Sequence, residues 1–198
     1  MKIGIDLDDV VIDHIPHLVK YYNKEFNDDL KADVVTTWQV VNHLPAFNGC
    51  EKTFYEMWDR FYATEDFVNL PPIPDALKSI GELNKRHKIY FITARNPSLS
   101  SSTYDWMIRH NLIQYPIYFY KNKGYLGKKL GLDIHIDDGT HNIESVVNEG
   151  ITGLLYSQPW NQDSKFTKFK NWNDLIDEIS IIELEKIRGN KYDRQFSY

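Results

Sequence analysis

Short apolar runs recur at five places along the chain. KIGI at residues 2–5 leads into an acidic cluster, and KIYFIT (88–93), PIYFY (116–120), DIHIDD (133–138) and ITGLLYS (151–157) follow it. Each is rich in β-branched and aromatic residues and bounded by turn or helix signals, the pattern of a buried strand. Between them apolar positions recur at helical spacing: Leu77, Ile80 and Leu83 after Pro74, Tyr104, Ile108 and Leu112 after a serine cluster, and a short segment at 124–130. Strand alternating with helix predicts an α/β fold, a doubly wound parallel five-stranded Rossmann-like sheet covered on both faces. No internal repeat interrupts it, and the terminal GNKYDRQFSY is expected to be loosely docked.

Residues 14–73 break the alternation. They hold no strand pattern but two helical ones, HLVKYYNKEF and CEKTFYEMWDRFYATEDF, the second with Phe54, Trp58 and Phe61 or Tyr62 at helical spacing. A crossover needs only about a dozen residues beyond its helix, so the surplus predicts a small helical cap over the carboxyl edge of the sheet. Residues 1–13 and 74–198 would form the core, rejoined through NLPPIPD, a stiff proline connector.

Composition narrows the partners. The 198 residues, 42% hydrophobic and 14% aromatic, suffice for one core and a small second lobe. A net charge of -5 argues against a nucleic acid polymer, whose phosphate backbone needs a basic surface, but leaves mononucleotides open. The lone Cys50 excludes an internal disulfide framework, and no apolar run approaches the roughly 20 residues of a membrane span. The N-terminus lacks a signal-like segment, so a cytoplasmic enzyme is expected.

The acidic residues then stand out. Asp6, Asp8 and Asp9 fall within four positions, where like charges repel unless something positive offsets them. Asp6 and Asp8 end the first strand, Thr93 ends the second, Lys121 and Lys123 follow the third, and Asp137 and Asp138 end the fourth. In a doubly wound sheet all these ends share one edge, the usual ligand crevice. A lone strand-ending Asp is usually a turn former, but four coincident strand ends outweigh that reading. The seven histidines show no metal spacing, and His135 reads as a core or helix-facing residue. Trp38, Trp58 and Tyr62 read as packing inside the cap rather than as platforms for a base.

In order and strand context these residues resemble the haloacid dehalogenase-like phosphohydrolases. DLDDV (6–10) matches their Asp-x-Asp-x-[Thr/Val] motif, Thr93 their strand-ending hydroxyl, Lys123 their lysine and IDD their acidic pair, over a span of 1–157; Asp9 stands where a Gly is often found. Within that family the chain is most similar to the 5'(3')-deoxyribonucleotidase group, through the position of the cap, the TAR sequence that sets Arg95 beside Thr93, and the YSQPWN turn. The resemblance implies a Mg²⁺-dependent phosphatase that passes through an aspartyl-phosphate, with a nucleoside monophosphate as substrate; a small phosphorylated sugar or metabolite is the alternative. Asp6 would be the nucleophile, and Asp8 would protonate the leaving alkoxide and then deprotonate water. Asp6, the Asp8 carbonyl and one of Asp137 and Asp138 would hold the metal. Thr93 and a lysine would bind the phosphate; Lys123 is favoured over Lys121 and Lys128 because it opens a helix. Arg95 is either a partner of another site residue or a phosphate ligand. The second Asp of DLDDV argues against a dehalogenase, the motif order against a phospho-receiver domain, and the intact set against a non-catalytic nucleotide-binding module.

Overall fold

A computed structural model describes the backbone of residues 1–195 and the side chains of residues 1–188. Its strands are β1 (Lys2–Ile5), β2 (Lys88–Thr93), β3 (Ile117–Phe119), β4 (Ile134–Asp137), β5 (Thr152–Tyr156) and β6 (Lys168–Phe169), all parallel, in the order β3-β2-β1-β4-β5-β6. Five are those the apolar runs predict. The sixth corrects the expected count: β6 pairs only Lys168 and Phe169 with Leu155 and Tyr156, too few residues to show a run or an alternation. Strand order reverses beside β1, which lies between β2 and β4. Ile5 pairs with both Phe91 and Ile136, so the residues that follow β1, β2 and β4 arrive at one edge.

Both faces of the sheet are covered, which is why Ile3, Ile5, Phe91, Ile134 and Ile136 are all fully buried. Gly4 is buried between Ile3 and Ile5 without a side chain, and a close approach explains it. A Cβ there would lie 2.6 Å from Nδ1 of His135, its partner on β4.

The helices are α1 (Ile15–Phe26), α2 (Glu51–Tyr62), α3 (Glu65–Val68), α4 (Ala76–Asn84), α5 (Ser100–Arg109), α6 (Lys123–Leu130), α7 (Thr140–Asn148) and α8 (Trp172–Gln195). The helix expected over 50–67 is two. Thr64 divides it, its hydroxyl donating to the Phe61 carbonyl (2.7 Å) and accepting the Phe67 N–H (3.2 Å), which makes it the N-cap of α3. Neither α7 nor α8 is among the expected helices. The first buries only Asn142, Ile143 and Val146, and the second buries Trp172, Leu175 and Ile179 on one stripe. The side chains of GNKYDRQFSY lie outside the described residues.

Helices α1 to α3 and three short 3-10 turns make up the 14–73 segment. The chain leaves and re-enters through paired stems: Asp13 donates its N–H to the Pro71 carbonyl (3.1 Å) and Ile73 to that of Val11 (2.8 Å). One buried apolar cluster runs from Ile3 and Ile5 of the sheet to Phe54, Met57 and Phe61 of α2, so the segment is packed onto the sheet rather than tethered to it. Among the described residues no helix is long and apolar enough to cross a membrane.

Candidate active site

Immediately after β1 the chain turns back on itself. Asp6 still donates its N–H to the Ile136 carbonyl of β4 (3.0 Å), and then Val11 and Ile12 both donate to Leu7 (2.9 Å each). The turn passes through Asp9, whose φ of 54° is the left-handed conformation that suits Gly and that Asp tolerates. The Asp9 carboxylate also accepts the His14 and Ile15 N–H groups (3.2 and 2.9 Å), satisfying the start of α1. Asp9 therefore has structural work of its own beside Asp6 and Asp8.

Lys123 opens α6 and reaches the same edge. Gly124 lets this happen: a Cβ there would lie 2.4 Å from the Ser145 carbonyl, so α6 packs against α7 with no room for a side chain. The Lys123 ammonium, 1% exposed, lies 2.8 Å from Asp6 and 2.6 Å from Asp137. Lys121 is exposed and Lys128 pairs with Glu149 on the surface, so of the three candidate lysines Lys123 alone joins the cluster.

The two carboxylates of IDD have different surroundings. Asp137 accepts from Lys123 (2.6 Å) and His135 Nε2 (3.0 Å) on one oxygen, and from the Gly139 N–H and Asn142 Nδ2 (both 2.9 Å) on the other. A carboxylate has about four acceptor positions, so Asp137 is filled. Asp138 accepts only from Trp160 Nε1 (2.8 Å), on Oδ2, among the described residues. Oxygens of Asp6, Asp137 and Asp138 all lie within 4.8 Å of one another.

Burial pushes the Asp6 carboxyl up to about 7 although Lys123 pulls it down, with Asp137 and Asp8 adding to the rise. Asp138 is pushed well above its ordinary value by burial and by its neighbours Asp137, Asp6 and Asp9. For Asp137 burial acts the same way, but Lys123 and His135 outweigh it and hold the group well below the usual range. Two buried acids thus resist ionisation beside free acceptor positions. That donor set, carboxylate oxygens with no sulfur or imidazole, fits a hard divalent cation.

Asp8 faces a second group of residues. Arg95 donates to both its oxygens, from Nε (2.9 Å) and Nη2 (2.5 Å), and Tyr62 of α2 donates its hydroxyl (3.1 Å). Burial would raise the Asp8 carboxyl, but Arg95 and His14 overcome it and bring the group down to about 2. Of the two roles open to Arg95, its contacts are those of a partner to a site residue. Thr93, 1% exposed, ends β2 on the shared edge, and its hydroxyl accepts the Arg95 N–H (3.3 Å).

Several residues at the site were not singled out from the sequence. Asn142 lies on α7, a helix the sequence did not announce. Trp160 and Asn161 belong to the YSQPWN turn; Asn161 donates to the Asp138 carbonyl (2.9 Å) and its neighbour Gln158 to that of Asp9 (2.7 Å). His14 is fully buried, its ring 5.4 Å from that of Tyr62 and 4.9 Å from that of Trp58. His135, read as a core residue, is buried as expected but also holds Asp137.

Comparison with known proteins agrees with this arrangement. Residues 1–185 match the family described as 5' nucleotidase, deoxy (Pyrimidine), cytosolic type C. The 5'(3')-deoxyribonucleotidase of Bacillus subtilis is 26% identical over 179 residues, which cover 87% of this chain and 95% of that one. A haloacid dehalogenase-like hydrolase of Streptococcus pneumoniae superposes with a TM-score of 0.64 at 14% identity, covering 90% of this chain and 97% of that one. A protein of the same fold from Bacillus subtilis, solved with bound magnesium, gives 0.62 at 14% identity, covering 90% and 98%. The fold is that of haloacid dehalogenase-like hydrolases, and a match that leaves only the last 13 residues outside it shows that the chain belongs to the family of 5' nucleotidases, deoxy (pyrimidine), cytosolic type C.

Proposed function

We propose that the chain is a Mg²⁺-dependent 5'-nucleotidase that hydrolyses (deoxy)nucleoside monophosphates through an aspartyl-phosphate on Asp6. The observation that carries this reading is the contact between Asp6 and the buried Lys123, with Asp138 alongside. Asp6, Asp138 and the Asp8 carbonyl would hold Mg²⁺, which supplies positive charge against the repulsion between carboxylate and phosphate. Asp137, filled by its donors, aims Lys123 instead.

An Asp6 oxygen attacks phosphorus and the bond to the leaving oxygen breaks, its electron pair passing to that oxygen, which takes a proton from Asp8. Water then attacks the aspartyl-phosphate, Asp8 takes the water proton, and the bond from phosphorus to Asp6 breaks to release inorganic phosphate. Such acid–base help is typically worth about 10² to 10⁴ in rate. Held by Arg95, Asp8 is ionised, the form needed for the second half; the phosphate dianion beside it raises its proton affinity for the first. Thr93 and Lys123 hold phosphoryl oxygens.

The division into a core of 1–13 and 74–198 and a cap of 14–73 belongs to the same reading, with the cap selecting the substrate. Trp38, read from the sequence as packing inside the cap, is instead exposed and lies 4.7 Å from His141 at the start of α7, where a base emerging from the phosphate site would stack for about 1 to 3 kcal/mol. Assays of deoxynucleoside monophosphates beside sugar phosphates, with Mg²⁺ and at equal concentration, test the assignment. Nucleotides should give the higher kcat/KM; a clear preference for sugar phosphates overturns the nucleotidase reading and leaves a phosphatase.

A further inference from the structure

Arg95 is an unusual place to find a charge. Its side chain is 2% exposed, and its guanidinium packs against the adjoining rings of Tyr62 and Phe67, at 4.6 and 4.7 Å, both from the 14–73 segment. Three of its donors are committed: Nε and Nη2 to the two oxygens of Asp8, and Nη1 to Thr103 of α5 (2.9 Å). Tyr62 adds a third donor to Asp8, on the oxygen that Nε already holds. Of the roughly four acceptor positions on Asp8, three are thus taken, and the fourth is on Oδ1. A planar fork that rests on two adjoining rings, is anchored at a buried threonine and bonds both carboxylate oxygens allows the carboxylate one orientation.

We propose that Arg95 is a positioning residue for Asp8: with Tyr62 it fixes the carboxylate so that a single oxygen position, on Oδ1, remains to pass a proton to the leaving group and to take one from water. Because Tyr62 and Phe67 belong to the 14–73 segment, the segment that would select the substrate also sets the angle of the acid–base group. The proposal rests on the role given to Asp8 above.

The test is leaving-group dependence. A nucleoside monophosphate releases an alkoxide that needs a proton, whereas p-nitrophenyl phosphate releases a phenolate that does not. Arg95→Lys, which keeps the charge without the fork, should lower kcat/KM for the nucleotide about 10- to 100-fold and for p-nitrophenyl phosphate less than about 3-fold. Tyr62→Phe, a milder change should Arg95→Lys fold poorly, should show the same split at smaller size. In an Asp8→Asn background Arg95→Lys should cost nothing further. Equal losses on both substrates, the result for a phosphate ligand or a packing residue, overturn the proposal. Failure of Asp8→Asn itself to show the split overturns the acid–base reading beneath it, which keeps the two failures distinct.

Discussion

The two halves of the site are built on different plans. Asp6, Lys123, Asp137 and Asp138 are carried by the ends of β1 and β4 and the start of α6, all outside the 14–73 segment. Asp8 and Arg95 are tied to α2 and α3, inside it, through Tyr62 and Phe67. The first half sets three carboxylates against one ammonium, leaving two negative charges when all ionise. The second sets one carboxylate against one guanidinium and is balanced. The half left with excess negative charge is therefore the half the sheet assembles, and the half that is balanced by itself is the one coupled to the 14–73 segment.

The largest test of this contrast removes the nucleophile. Asp6→Asn should lower turnover at least about 10³-fold with an unchanged melting curve, because shape is kept and only the attacking charge is lost. Substantial residual activity, with contamination excluded, would falsify covalent catalysis at this residue. Next come the two members of IDD, which should separate. Asp137→Asn leaves Lys123 buried with one partner fewer and should cost about 3 kcal/mol of stability in denaturant titration. Asp138→Asn should leave stability near that of the parent and weaken Mg²⁺ activation at least about 10-fold. If both variants behave alike, Asp137 is not set apart by its four donors.

A smaller effect should appear in the pH dependence of the chelator-treated protein. Asp6 sits at about 7 when folded against 3.8 ordinarily, so the folded chain binds that proton more tightly than the unfolded one. Its stability contribution is full below 3.8 and lost as pH rises through 7, and Mg²⁺ should flatten that loss. Asp8, at about 2, behaves in reverse: its contribution is present above 3.8 and lost as pH falls through 2. Melting temperatures from pH 4 to 8, with and without Mg²⁺, measure the first effect; curves that coincide would break the contrast between the halves. Smallest of all is Thr64→Ala, which removes the N-cap of α3 and should cost about 1 kcal/mol, read by denaturant titration.

The sheet-borne half was the more legible in the sequence. Asp6, Thr93, Asp137 and Asp138 end apolar runs, and a run announces both its strand and the edge where it stops. Lys123 was favoured over Lys121 and Lys128 because it opens a helix, and its contacts with Asp6 and Asp137 set it apart in the structure. In the other half Asp8 and Arg95 were singled out but their pairing was left open, and Tyr62 was missed, for a physical reason: the donors of Asp8 come from residues 54 and 87 positions away, one of them on a helix whose periodicity reports packing and not function. Asn142 was hidden in the same way, and Trp160, although part of the YSQPWN turn, gave no sign of its carboxylate partner; each meets it through the tertiary fold.

Gly4 bears on how such a site could change over time. The imidazole of His135 occupies the space that a side chain at position 4 would take, and from there it holds Asp137, which holds Lys123. The hydrogen bonds that make up this buried chain involve no residue of the 14–73 segment among the described residues. A methyl group at position 4 would displace the histidine and be felt, through Asp137 and Lys123, at Asp6.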